Sequence, residues 1–342
     1  MLFRRRDALF ALAAVPMSAA MPGCARGKAT SGTVRIGMVT DVGGLGDRSF
    51  NDSAYRGLVR AKDELHVDTT VLQSRSAADY QPNLTLLANK EYDEIFAIGF
   101  LMAKDVDEVA DRYAARHFSI IDAVVDRPNV TSVTFKEEEG SLLAGALAAM
   151  TTKTKTIAFL GGIDIPLLRK FEAGFAAGAR EIDPSVKTLV KYVGSFDDVA
   201  SGKEIAGVLF DQGADVVYVA AGKAGLGAID QVKSRAGAYV IGVDSNQDAI
   251  APGKILTSMV KRVDVGVFRV CQQSAAHKPR PQHLVLGLKE GGVGLTDFRY
   301  TRDVVTAPKI ATLERLRALM ISGRLVAPST REELASFTRV PL

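Results

Sequence analysis

The sequence has no tryptophan, four histidines, two cysteines and a net charge of only +4 in 342 residues, and each scarcity removes a class of function. Cys24 and Cys271 stand far apart, and His66, His117, His277 and His283 form no pair at metal-ligand spacing. Neither a disulfide framework nor a metal site is therefore expected. Lys and Arg number 43 against 39 Asp and Glu, so no basic surface is available for a nucleic-acid partner. The nucleophile elbow GxSxG, the zinc-protease HExxH and the phosphate loop GxxxxGK are all missing. No catalytic residue and no cofactor is expected. The longest apolar run, Ala8–Ala20, is too short to span a bilayer as a helix. What is abundant is core material: 47% of residues are hydrophobic and 24% charged, enough for about two ordinary domains.

Residues 1–23 run from Arg4-Arg5-Arg6 through the apolar Ala8–Ala20 to Met21-Pro22-Gly23, and Cys24 follows. That order is the order of a secretory signal. Its small-residue ending before a cysteine resembles a bacterial lipoprotein signal. The resemblance implies cleavage before Cys24, lipidation of Cys24, and a protein anchored to the bacterial cell membrane that faces the periplasm or exterior. Residues 24–33 then read as a polar linker. Removing residues 1–23 takes the charged residues from 43 and 39 to 40 basic and 38 acidic, a balance of +2. An export signal also excludes a transcription regulator with an N-terminal helix-turn-helix. Cys271 reads as a small buried hydrophobe.

From Val34 short apolar runs alternate with longer amphipathic ones, the pattern of βα units around parallel sheets. The first series of strands is Val34–Val39, Thr70–Leu72, Glu94–Ile98, Phe118–Ile121 and Val130–Phe135. A second series follows at Thr156–Leu160, Leu189–Tyr192, Asp215–Ala220, Ala238–Val243 and Ile255–Val260. Later apolar pieces lie at Leu284–Leu286 and Phe298–Tyr300, before a helix near Lys309–Ser322. The repetition predicts an α/β protein of two lobes, each with a parallel sheet, between which the chain crosses about three times. One lobe is expected from 34–136 with about 259–285, the other from 137–258 with about 286–330, leaving 331–342 as a tail.

Open α/β sheets bind ligands beyond the C-terminal ends of their strands, where loops converge and helix N-termini present free amides. The residues at those positions are Asp41, Asp122, Phe196, Gly222, Asp244 and Lys261, together with the glycine-rich loop from Asp41 that ends in Phe50-Asn51-Asp52. Taken singly, each has a plainer reading. Asn51 or Asp52 suits the N-cap of a helix at Ser53–Leu65, a Phe after a strand is usually core filler, and Lys261 beside Arg262 could be a solvated pair. Glu137-Glu138-Glu139 reads as an acidic first turn that complements a helix dipole.

Several of these stretches carry a resemblance. DVGGLGDRSFN at Asp41–Asn51, Ile120-Ile121-Asp122, YVGSFDD at Tyr192–Asp198, GLG at Gly225–Gly227, IGVDSNQ at Ile241–Gln247 and LTSMVKR at Leu256–Arg262 together resemble the basic membrane protein family of bacterial lipoproteins. That resemblance implies a type I periplasmic-binding-protein fold and a non-catalytic receptor that passes a nucleoside, especially a purine, to a membrane ABC permease and ATPase. By position it implies ligand contacts from Asp41, Phe50, Asn51, Asp122, Phe196, Asp244 and Lys261, with Phe50 and Phe196 sandwiching the base. Gly222 joins them as a strand-end residue. Asn246 stands where many relatives have Asp, a difference expected to bear on ligand preference. The alternatives are a sugar or autoinducer receptor of the same fold and a nucleoside-processing enzyme. Sugar faces often use tryptophan, which is missing here, and a calcium-dependent hydrolase would show an early DxDxxxDD cluster, which does not occur.

Overall fold

A computed structural model describes residues 33–341; the expected signal, Cys24 and nearly all of the linker lie outside the described residues. From Thr33 the chain forms one compact unit built on two six-stranded sheets. The first sheet has the order β11-β5-β4-β3-β1-β2, from β1 (Arg35–Thr40), β2 (Asp68–Gln73), β3 (Glu94–Ile98), β4 (Phe118–Ile121), β5 (Val130–Phe135) and β11 (His283–Leu286). All its pairings are parallel. The second has the order β12-β10-β9-β8-β6-β7, from β6 (Thr156–Gly161), β7 (Lys187–Tyr192), β8 (Val216–Ala220), β9 (Tyr239–Asp244), β10 (Ile255–Lys261) and β12 (Val293–Leu295). Only β12 runs antiparallel to its neighbour.

The inner strands are apolar on both faces because helices cover both: every residue of β3, β4 and β8 is buried. The chain passes between sheets after β5, between β10 and β11, and between β11 and β12. The crossing expected near residue 259 falls at Arg262, since Met259–Lys261 still pair with β12. Helix α8 (Val263–Ala275) then packs on α1 (Phe50–Leu65) of the first lobe. The piece Phe298–Tyr300 is a turn, with Phe298 at φ 59° and buried against the core, and the edge strand is β12 instead. Helices α4 (Glu137–Thr151) and α5 (Pro166–Ile182) form the most intimate helix pair of the second lobe.

In each sheet the order around the first strand, 2-1-3-4-5, creates a switch point where the helices on either side diverge. The switch points lie between β1 and β3 in one lobe and between β6 and β8 in the other. Their C-terminal ends define the cleft.

Candidate functional site

The first loop is shaped by a carboxylate that was not among the expected ligand residues. Asp47 accepts hydrogen bonds from the backbone N–H groups of Ser49, Asn51 and Asp52, at 2.9, 2.8 and 3.1 Å. It thus satisfies the free amides at the start of α1, which begins at Phe50. The expected cap at Asn51 or Asp52 is corrected: both lie inside the first turn, because Asp47 folds back to supply the cap from outside. Asn51 is consequently free to aim its amide at Asp41 Oδ1, 2.8 Å away.

Asp122, directly after β4, and Asp244, the last residue of β9, both lie in the left-handed region, with φ of 68° and 61°. Asp tolerates this conformation better than most residues, and strain of this sort gathers at functional sites. Both side chains meet Lys261, the last residue of β10. Its Nζ lies 2.5 Å from Asp122 Oδ2 and 3.8 Å from both Asp244 Oδ1 and Glu137 Oε1. Lys261 is 3% exposed, so the solvated-pair reading does not hold for it. Burial alone would lower its pKa, but Asp122, Asp244 and Glu137 outweigh that and hold it above the ordinary lysine value. Its Nζ also sits 4.8 Å from the centre of the Phe50 ring. Glu137 is fully buried and accepts from Lys170, so the acidic turn of α4 is partly the floor of this charge network as well as a complement to the helix dipole.

Phe196, from the loop after β7, lies against Gly162 after β6: a Cβ built there would sit 2.3 Å from the ring, which is why that position has no side chain. Across the cleft Phe196 meets Phe100, which follows β3, edge to face at 6.2 Å. Phe100 was not expected, although Gly99-Phe100 occupies the same strand-end position that singled out Asp41 and Asp122.

Most of these groups line one cleft, at the C-terminal ends of the strands of both sheets. All eight expected residues, Asp41, Phe50, Asn51, Asp122, Phe196, Gly222, Asp244 and Lys261, line it. The walls that sequence reasoning missed are Phe100 and, from α5, Leu167, Leu168 and Phe171. The α5 residues belong to a helix face, where a core stripe and a cleft wall look alike in sequence. Asn246 is exposed, does not line the cleft, and turns its Oδ1 to the Asp248 N–H at 3.1 Å. Any bearing of Asn246 on ligand preference is therefore not by direct contact with the cleft, because the chain turns away from it after Asp244.

Burial governs the remaining polar groups. It pushes the Asp41 carboxyl up to about 6, against the hydrogen bonds from Asn51 and Gly43, and raises Asp47 and Asp244 as well. Asp122 Oδ1 and Asn51 Oδ1 are buried acceptors with no hydrogen-bond partner among the described residues. Buried acceptors normally have one. The cleft therefore offers apolar walls, fixed acceptors, the neutralised cation of Lys261 and, also in its lining, Lys223. That combination suits a flat, uncharged ligand rich in donors.

The sequence profile of the Bmp family, described as ABC transporter substrate-binding protein PnrA-like, matches residues 34–331. The chain belongs to this family. It is 34% identical over 339 residues to the ABC transporter nucleoside-binding protein BmpA of Lactococcus lactis, covering 91% of this chain and 95% of that protein. An uncharacterized lipoprotein of Pyrococcus furiosus is 38% identical over 288 residues, 80% of this chain and 72% of the relative. Among solved structures, an ABC transporter solute-binding protein from Aeropyrum pernix K1 matches with a TM-score of 0.82 at 30% identity, over 89% of this chain and 96% of that one. The fold is that of type I periplasmic binding proteins, and membership of the family makes the chain a substrate-binding protein of an ABC transporter, with a small-molecule ligand and membrane components as its partners. Among the described residues no helix is long and apolar enough to cross a membrane.

Proposed function

We propose that the cleft receives a nucleoside, with a preference for purines, and that the closed protein delivers it to an importer permease and its ATPase. The observation that carries this reading is the pairing of aromatic walls from both lobes with the buried free acceptors Asp122 Oδ1 and Asn51 Oδ1. A base has two flat faces for the rings and a ribose has hydroxyl donors for the carboxylates. In this reading the base lies between Phe50 and Phe196, each stack contributing roughly 1–3 kcal/mol, and Phe100 closes one edge. Asp41, Asp122 and Asp244 take the donors, and Lys261 gives a hydrogen bond to a ribose oxygen. The four carboxylates of the lining, Asp41, Asp47, Asp122 and Asp244, face only Lys261 and Lys223. A phosphate would be repelled in so poorly screened a cleft, so the ligand is a nucleoside and not a nucleotide. The name of the Lactococcus relative supports the same ligand class. Lipidation of Cys24 would hold the protein at the outer face of the membrane, as the names of the lipoprotein relatives suggest.

The test is calorimetric titration of the chain from Thr33, stripped of carried-over ligand by unfolding and refolding. Guanosine, inosine, adenosine, cytidine, uridine, a 5′-monophosphate and ribose are compared. Binding of purine nucleosides at about micromolar or tighter, roughly −8 kcal/mol or stronger, with the monophosphate and ribose at least tenfold weaker, is the expected result. Binding of ribose alone would transfer the site to the sugar receptors.

A further inference from the structure

The segment leaving β9 carries side chains that do not line the cleft yet reach the other lobe. Ser245 Oγ donates to the Ser49 carbonyl at 2.6 Å, and Gln247 Nε2 donates to the Arg48 carbonyl at 3.1 Å. In the opposite direction Ser49 Oγ donates to Asp244 Oδ2 at 2.6 Å, and Arg56 Nη2, on α1, donates to Ser245 Oγ at 2.9 Å. Ser49, Ser245 and Gln247 are buried where the lobes meet, while Arg56 is exposed.

Both sides are held in place for this contact. Gln247 is fixed within its own lobe, its N–H on Ser258 Oγ and its Oε1 on the Val243 N–H. On the other side Arg48 adopts φ 52°, a conformation uncommon outside glycine, in the loop that presents two consecutive carbonyls to these donors. Each of the four bonds joins the lobe of β1 to the lobe of β9, so each exists only while the lobes are together.

We propose that Ser245, supported by Gln247 and Arg56, is a closure latch: a positioning residue that sets how much of the protein occupies the closed arrangement without touching the ligand. The apparent affinity of any ligand held between lobes scales with the population of the binding-competent state. Loss of the latch must therefore weaken every ligand by one common factor, whereas loss of a contact residue alters the ranking of ligands. The proposal rests on ligand binding between the lobes and borrows the nucleoside reading only for its probes.

The experiment uses the chain from Thr33 to Leu342, which is a compact unit by itself. Wild type, Ser245→Ala and Arg56→Met are titrated with guanosine, inosine and adenosine, and the radius of gyration of each ligand-free protein is measured by solution X-ray scattering. Ser245→Ala is expected to raise Kd about five- to tenfold for all three nucleosides alike, with an increased radius of gyration. Arg56→Met, on an exposed helical position that Met suits, is expected to raise it about two- to threefold and to add nothing in the Ser245→Ala background. A changed guanosine-to-adenosine ratio in Ser245→Ala would overturn the proposal, and so would wild-type affinities together with wild-type dimensions. If wild type binds none of the three, the nucleoside reading fails, and the scattering alone decides: an expanded Ser245→Ala supports the latch and unchanged dimensions refute it.

Discussion

At the scale of single residues, the cleft depends on a few side chains whose partners come from distant parts of the chain. Asp122 holds Lys261 across 139 positions, and its second oxygen remains free for a ligand donor. Asp122→Ala removes that acceptor and leaves Lys261 with Asp244 and Glu137, each 3.8 Å away, as its nearest carboxylates. Phe196→Ala removes one aromatic wall, resting on a glycine and an edge contact that tolerate its loss. Each substitution is expected to weaken nucleoside binding at least tenfold while the thermal unfolding midpoint moves little. Full affinity in both variants would show that the ligand sits elsewhere. Asn51 illustrates how a plain local reading can mislead: a helix-start Asn looks like a cap, yet the capping oxygens belong to Asp47, four residues earlier.

At the scale of elements, α5 connects the cleft to the packing of the second lobe. Its first turns carry Leu167, Leu168 and Phe171 into the cleft wall, and its later turns lie against α4 almost backbone to backbone. A Cβ at Gly178 would stand 1.9 Å from the Leu142 carbonyl oxygen, so any side chain there forces the helices apart. Gly178→Ala is expected to cost roughly 3 kcal/mol and to lower Tm by on the order of 5–10 °C. It should also weaken ligand binding, because the wall moves with the helix. Gly294→Ala, in β12 with open space around the added methyl, is the control and should leave Tm within about 2 °C of wild type. Equal effects at the two glycines would refute close helix approach as the cause. Much of this level is legible in the sequence: the ten strands read there appear in the expected order, each end within two residues of its expected place. The edge strand Val293–Leu295 escaped notice because three residues with two glycine neighbours carry too little apolar periodicity to read as a strand.

At the scale of the whole molecule, gathering carboxylates into one closed cleft makes stability depend on pH. Burial raises the Asp41 carboxyl from 3.8 to about 6. The folded chain therefore retains a proton that the unfolded chain has released, and this group's stabilising contribution is full below about pH 4 and is lost as pH rises through 6. Asp41→Asn keeps an oxygen acceptor for Asn51 and Gly43 without the buried charge. It is expected to unfold at a higher temperature than wild type near neutral pH, with the two proteins converging at about pH 4. Thermal melts across that range decide the matter; a variant no more stable than wild type at neutral pH would remove burial of the charge as the cause. Nucleoside affinity should fall in the same variant, so this is a place where function and stability oppose one another.

Alternating apolar and amphipathic runs were enough to specify two series of α/β units, because the period of burial is written locally in the chain; the three crossings between sheets are fixed by the tertiary fold. Strand ends then marked Asp41, Asp122, Phe196, Gly222, Asp244 and Lys261, with Phe50 and Asn51 closing the first strand-end loop, as residues that parallel sheets must present along one edge, and the motif pattern gave them a shared ligand role. What the sequence could not decide was which of these groups meet. The ion pair of Lys261 with Asp122, the edge contact of Phe100 with Phe196, the cap from Asp47 and the bonds from Ser245 and Gln247 to the first loop depend on how the chain turns and on how two lobes face each other. Most of these pairs lie far apart in sequence and none leaves a periodic trace, so their geometry exists only once both sheets are assembled.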